Sequence, residues 1–357
     1  MKRLRLFKKF HEKIFNDEHF ELKYPEKFNI NKMFLDMDKE NITEEKIDGL
    51  GTFLLVKDTS IPYMMFVPEV VEENDRLVME SNNYERDSRK DFILQAVGTL
   101  KRLNKFVPHP VPLLVPLIPG GDIYYQQLSS EALFSENPRR IDNEVDEVIK
   151  DALNRIEDIS GKRLDDKIFL HGYSSSGVFA QRFCLLHPER VDSAVIGGAS
   201  GTIPALDGKI SYPLGCGNIK NFNIDEYKNI KFKYYVGEYE LLDEADNRRD
   251  IVDGKVVKVK RPMHDMSYYQ RSVNAYIGKE YRDKYGVNYF DRIINIVNDY
   301  KRNGIDINST VIRGRAHKPM AINNKILKSA GEGIEPIVES AYRRSIVELS
   351  KQKIRRK

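Results

Sequence analysis

Ser174 stands between Gly172 and Ser176 in the run Lys167-Ile168-Phe169-Leu170-His171-Gly172-Tyr173-Ser174-Ser175-Ser176-Gly177. The residues before it form an apolar run of strand length. Those after it, Val178-Phe179-Ala180-Gln181-Arg182-Phe183, take up an apolar pattern of helical spacing at once. A strand that turns into a helix with a serine at the corner has the shape of a nucleophile elbow. The serine occupies a strained turn with its hydroxyl pushed outward, and the residues two before and two after it must be small so that strand and helix can approach. Ser175 fails this test because Tyr173 would fall at a small position, and Ser176 fails because Val178 would. Ser174 is therefore the candidate nucleophile.

A serine hydroxyl attacks only when a base takes its proton and a third group orients that base. In an open sheet of parallel strands such groups collect at the carboxyl ends of the strands. Position sorts the seven histidines. His11 and His19 lie in an N-terminal extension, His109 precedes its strand and His187 lies at the far end of the elbow helix. His171, inside the elbow strand, is expected to pack or to support the site. His317 follows the last strand signal directly, in Val311-Ile312-Arg313-Gly314-Arg315-Ala316-His317, and is the favoured base, with His264 the alternative. For the acid, Glu240 has the best spacing after Tyr235-Val236-Gly237, and Asp243 and Asp246 are alternatives. The resulting order of Ser, acid and His is the one that suits this kind of fold. Two N–H groups must meet the developing oxyanion. Ser175 is expected to supply the first. The second is expected from Asn82, Asn83 or Tyr84, after the strand at 76–80, or alternatively from Gly120 or Gly121, where paired glycines let backbone approach a ligand. Such a site gains activity with pH through about 6 to 7 as its histidine becomes neutral.

Stepping outward, strand signals at 51–57 and 62–67 flank a turn cluster and predict an antiparallel hairpin. Further strands are expected at 76–80, 111–118, 193–196, 231–236 and 310–312, and helices at 88–103, 141–159 and 288–302. Ile141, Val145, Val148, Ala152, Ile156 and Ile159 keep a helical spacing that Gly161 stops. Strands alternating with amphipathic helices specify an α/β class, a mostly parallel mixed sheet with helices on both faces. The domain is expected over 46–345 with an insertion near 241–285, preceded by a basic helical extension at 1–45 and followed by a basic tail at 346–357. In the extension Leu6, Phe10 and Ile14 recur every fourth residue. A helix of that kind packs on its own domain or, less commonly, gives residues 1–15 a peripheral membrane contact.

A net charge of +4 over 357 residues is no nucleic-acid footprint. The two cysteines, Cys184 and Cys216, fit no metal spacing and point to a reducing compartment. The N-terminal ten residues interleave basic and apolar residues where a secretion signal needs a continuous apolar core. No run reaches the roughly 18 apolar residues of a membrane span. The expected location is the cytoplasm.

With these residues in view, the chain resembles the α/β-hydrolase superfamily over roughly 50–345. Gly172-Tyr173-Ser174-Ser175-Ser176-Gly177, followed by His187-Pro188-Glu189-Arg190-Val191, is similar to bacterial esterase-like members that include depolymerase and feruloyl-esterase relatives. The segments 81–83, 197–201 and 211–215 also resemble parts of that group. The resemblance implies serine hydrolysis of a carboxylic ester in a small-molecule or acylated substrate, with no metal and no organic cofactor. Acyl transfer, peptide cleavage and a non-catalytic binding module are the alternatives. The chain departs from the common pattern in carrying Ser176 where Gly is usual, Glu240 where Asp is commoner, and no HGGG-type string.

Overall fold

The computed structural model describes residues 41–47, 49, 51–82, 96, 98–99, 110–119, 125–199, 206–237, 249–252, 255–258 and 289–312. The chain opens with three antiparallel strands, β1 (Ile42–Ile47), β2 (Gly51–Val56) and β3 (Tyr63–Pro68). The last two are the expected hairpin. β1 is a strand that the sequence reading assigns partly to the extension: its alternation is masked by charge, Ile-Thr-Glu-Glu-Lys-Ile.

After β3 come β4 (Val78–Met79) and β5 (Leu113–Pro116), then α1 (Ser130–Phe134) and α2 (Ile141–Ser160). β6 (Ile168–Tyr173) leads into α3 (Ser175–Leu186), and β7 (Val191–Gly197) follows. α4 (Ile224–Asn229) precedes β8 (Lys231–Gly237), and β9 (Arg249–Val252) pairs with β10 (Lys255–Lys258) as a separate antiparallel hairpin within the expected insertion. α5 (Tyr289–Arg302) and β11 (Ile307–Ile312) close the described chain.

Among the described residues nine strands form one sheet in the order β1-β2-β3-β5-β4-β6-β7-β8-β11. From β5 to β11 every neighbouring pair is parallel, so all these strands end at the same edge. Chain order crosses over between β5 and β4, which sets β4 directly beside β6. Registered neighbours Met65, Leu114, Met79, Leu170, Ala194 and Phe232 form one row across the sheet. That face belongs to a continuous core with α2, α3 and α5. The opposite face, with Leu55, Met64, Val115 and Val195, is buried as well, as in a sheet covered on both sides.

α2 presents Ile141, Val145, Val148, Ile149, Ala152 and Ile156 to that core, as its spacing predicts. Gly161 ends it in a left-handed conformation, returning its N–H to the Glu157 carbonyl at 2.8 Å. The stripe stops one turn earlier than its apolar residues do, because Ile159 is 40% exposed. Among the described residues no helix is long and apolar enough to cross a membrane.

The run His187-Pro188-Glu189-Arg190 fastens the end of α3 to α2. His187 Nε2 lies 3.1 Å from Asp142 Oδ2, Arg140 clamps the same carboxylate at 2.6 and 2.9 Å, and Arg190 donates to Asp146 at 2.7 Å. Burial pushes the Asp142 carboxyl up, but the hydrogen bonds from Arg140 and His187 overcome it and hold the group at about 2. Burial likewise lowers the His187 imidazole, yet Asp142 and Glu189 raise it to about 9.

Ile149→Ala should lower unfolding free energy by about 3 kcal/mol, read from urea denaturation. For the pair, the histidine's contribution is complete below its ordinary 6.5 and is lost as pH rises through about 9, whereas the aspartate's is complete above its ordinary 3.8 and is lost as pH falls through about 2. The wild-type urea midpoint should therefore fall between pH 6.5 and 9, and His187→Gln should flatten that limb of the profile.

Candidate active site

β6 runs through Gly172 and Tyr173 to Ser174, and α3 begins at the next residue. Ser174 has φ 60° and ψ −116°, a region that residues with a Cβ rarely occupy and that costs on the order of 1–3 kcal/mol. Hydrogen bonds hold it there from both sides. Its N–H donates to the Gly197 carbonyl at 2.9 Å, anchoring the corner on β7, and its carbonyl accepts from the Val178 N–H at 3.0 Å, starting the helix.

A serine at a helix N-terminus ordinarily bonds the first turn through its side chain. Ser174 makes no such capping bond. Ser174 and Ser175 are half-buried at the mouth of the corner, and Ser176 is fully buried. The corner is tight enough that a Cβ on Gly172 would lie 2.2 Å from the Ser176 carbonyl oxygen and 2.6 Å from its carbon, so only glycine fits.

Beneath the corner lies a buried polar group. Glu80, the residue after β4, places Oε2 2.7 Å from His171 Nδ1 and Oε1 3.3 Å from Ser176 Oγ. Ser176 Oγ also accepts the Tyr173 N–H at 2.9 Å and lies 3.0 Å from the Tyr173 carbonyl oxygen. Glu80 and Ser176 are 0% exposed and His171 2%. The Tyr235 ring covers this layer, stacked 5.9 Å from the Tyr173 ring and 6.4 Å from that of His171. It lies over Gly197, where a Cβ would meet the ring at 1.9 Å.

The rim beside α3 is built from a short 3-10 turn, Tyr125–Gln127. Gln127 Nε2 donates to Ser175 Oγ at 3.2 Å, and the Gln127 carbonyl accepts from Arg182 at 2.6 Å. Arg182 is itself buried, its guanidinium 5.9 Å from the centre of the Tyr212 ring. Tyr212 in turn donates to the Leu128 carbonyl. Deeper in α3, Gln181 donates to Tyr234 at 3.0 Å and to the Ala199 carbonyl at 3.4 Å, tying the helix to the loop after β7.

Of the residues singled out in the sequence, Ser174 and Ser175 form the corner itself. Asn82 follows Glu80 where β4 leaves the sheet beside β6, and its side chain is committed to the backbone of Ile118. The amide donates to the Ile118 carbonyl at 2.9 Å and its oxygen accepts the Ile118 N–H at 2.8 Å. Asn83, Tyr84, Gly120, Gly121, Glu240, Asp243, Asp246, His264 and His317 lie outside the described residues. The strands that lead to the favoured acid and base are described. β8 and β11 are parallel neighbours, ending in register at Gly237 and Ile312 on the edge where Ser174 sits.

Glu80, Gln127, Arg182 and Tyr235 belong to the site without having been marked by motif or spacing. A signal exists only for Glu80, an acidic residue in register with a buried strand. The others depend on contacts across 48 residues or more, as with Gln127 and Ser175.

The close approach predicts that Gly172→Ala, by driving a methyl into the backbone of α3, lowers stability by about 3 kcal/mol. Chemical denaturation of the purified variant checks this.

No model of a known protein family matches the chain, and no curated protein matches it by sequence. Solved structures do. Poly(aspartic acid) hydrolase-1 from Sphingomonas sp. KT-1 superposes with a TM-score of 0.53 at 15% identity, over 80% of this chain and 100% of that one. The poly(3-hydroxybutyrate) depolymerase LpqC from Bordetella parapertussis gives a TM-score of 0.49 at 13% identity, over 87% and 96%. With β4 set between β5 and β6, a mostly parallel sheet and a strained serine where β6 turns into α3, the chain has the α/β-hydrolase fold.

Proposed function

We propose that this protein is a serine hydrolase that cleaves a carboxylic ester through an acyl-enzyme. The observation that carries the reading is the Ser174 corner: a positive-φ serine at a helix start, held by two backbone hydrogen bonds, with its side chain withheld from the capping bond. Strain of this kind persists only where surrounding structure imposes it, and a purely structural serine has no need of it.

In this reading His317 removes the Ser174 proton as Oγ attacks the acyl carbon, and Glu240 holds the imidazole, with Asp243 or Asp246 as the alternative acid. The tetrahedral oxyanion accepts the Ser175 N–H at the positive end of α3. A second donor comes from the loop after β4, among Asn82, Asn83 and Tyr84, or from Gly120 and Gly121. Collapse expels the alcohol, which takes its proton from the imidazolium, and water attacking the acyl-enzyme with His317 again as base regenerates Ser174. The residues named for this reaction need no metal or organic cofactor to balance it. The substrate is a small-molecule or acylated ester.

A fluorophosphonate probe should label the wild-type chain at Ser174 and fail to label Ser174→Ala. That variant should lose short-chain p-nitrophenyl ester hydrolysis by at least about 10⁴-fold in kcat. Equal labelling of the variant would move the nucleophile elsewhere. Turnover of peptides but not esters would favour amide cleavage on the same residues.

A further inference from the structure

The sheet register has a consequence beyond the elbow itself. β4 pairs with β6 as Val78↔Phe169 and Met79↔Leu170, and one further step brings Glu80 beside His171. In the preceding row the pairing is Met79 with Leu170, apolar on apolar. At the next row a carboxylate and an imidazole replace it in full burial, 2.7 Å apart. Burying such groups is costly unless each is hydrogen-bonded, and it gives a sheet no packing that two aliphatic residues would not give better. The pair also reaches upward: Glu80 Oε1 lies 3.3 Å from Ser176 Oγ.

Ser176 occupies the position two after Ser174, where the elbow demands only a small residue. Glycine would satisfy the steric requirement, but serine adds a hydroxyl that is used in full. Its oxygen accepts the Tyr173 N–H at 2.9 Å, and its single proton is offered to the Glu80 carboxylate or to the Tyr173 carbonyl. The N–H it receives lies in the Gly172–Tyr173 peptide and the carbonyl it faces lies in the Tyr173–Ser174 peptide, so the hydroxyl ties together the two peptide planes that lead into the strained corner. A polar path therefore runs from the His171 ring through Glu80 and Ser176 to the main chain at Tyr173. The Tyr235 ring, stacked on both His171 and Tyr173, closes it.

We infer that Glu80, His171 and Ser176 are positioning residues, a buried network that holds the main chain of the Ser174 corner in its reactive geometry. This rests on the serine-hydrolase reading for its effect on rate, but not for its effect on the corner. The network touches no substrate. It acts through the Tyr173 peptide, and its loss should appear in the chemical step while substrate binding is spared.

The test uses the full chain and the variants Ser176→Ala, Ser176→Gly, Glu80→Gln and the double Glu80→Gln/Ser176→Ala. The readouts are p-nitrophenyl butyrate hydrolysis, the melting temperature, and amide hydrogen exchange of the segment around Tyr173. Each single variant should lose about 10- to 100-fold in kcat with KM within about twofold. The double variant should be no worse than the poorer single, because both cut one path. Tyr173 exchange should quicken in all of them while the melting temperature of the Ser176 variants stays near wild type. The inference is overturned if the singles keep wild-type kcat, if the double loses the product of the two single losses, or if KM rises at constant kcat. Should Glu80→Gln not fold, the two Ser176 variants decide the matter through kcat and exchange. Should the wild type neither hydrolyse esters nor react with the fluorophosphonate, the hydrolase reading fails by itself. Exchange at Tyr173 then decides alone: faster exchange in Ser176→Ala upholds the network, and unchanged exchange removes it.

Discussion

The structure depends on how closely α3 is brought down onto the end of β6. With a hypothetical Gly172 Cβ only 2.2 Å from the Ser176 carbonyl oxygen, strand and helix backbones are in direct contact and leave no room for a side chain. That proximity forces the connection between them into a single residue, and a single residue can reverse the chain only in a conformation such as the φ 60°, ψ −116° of Ser174. The cost is offset locally by the hydrogen bonds from Ser174 to Gly197 and from Val178 to Ser174. The corner is thus anchored on β7 as well as on its own helix. Parallel pairing of β6 with β7 is what puts the Gly197 carbonyl within reach.

The same edge of the sheet explains why polar groups cluster there. β4, β6, β7, β8 and β11 end together, and the crossover that places β4 between β5 and β6 delivers Glu80 beside the elbow strand. If β5 were the neighbour of β6, an apolar residue would occupy that place, because every residue of β5 is apolar or proline and buried. Topology, more than local sequence, decides which side chain underlies Ser174. Tyr235 reaches the layer for a similar reason: its neighbour in register is Gly197, the one residue type that lets a ring lie flat over the strand.

This accounts for what is legible in the sequence. The elbow is legible because its constraints are local: small residues at 172 and 176, an apolar strand before and a helical pattern after. α2 is legible because its stripe runs through 3.6-residue periodicity to a stopping glycine. β1 is not, since its charged residues occupy an edge strand with no neighbour on its far side among the described residues. Nor is the role of Ser176, which the elbow rule treats only as small. Its hydroxyl gains meaning from Glu80, 96 residues away. Position 240, 243 or 246 for the acid is a choice that spacing alone leaves open, because several carboxylates follow β8 within a few residues of one another.

Apolar contacts through Phe179, Ala180, Phe183 and Cys184 bury α3, yet such contacts are non-directional and tolerate a small rotation or slide. Directional contacts occur along its length. Ser176 is held with Glu80 and Tyr173 at the first turn, Gln181 with Tyr234, Arg182 with the Gln127 carbonyl, and His187 with Asp142 at the end. These partners come from the end of β4, from β6, β8, the turn at Tyr125–Gln127 and α2, so a helix fixed to all of them has little freedom to shift along or about its axis. The N–H of Ser175 then points where the backbone directs it, without reorganisation, and preorganisation of that kind is what makes a helix N-terminus effective against a developing negative charge. The polar contacts of α3 and the strain at Ser174 are two parts of one arrangement: the strain presents the serine, and the contacts keep the Ser175 N–H beside it from yielding.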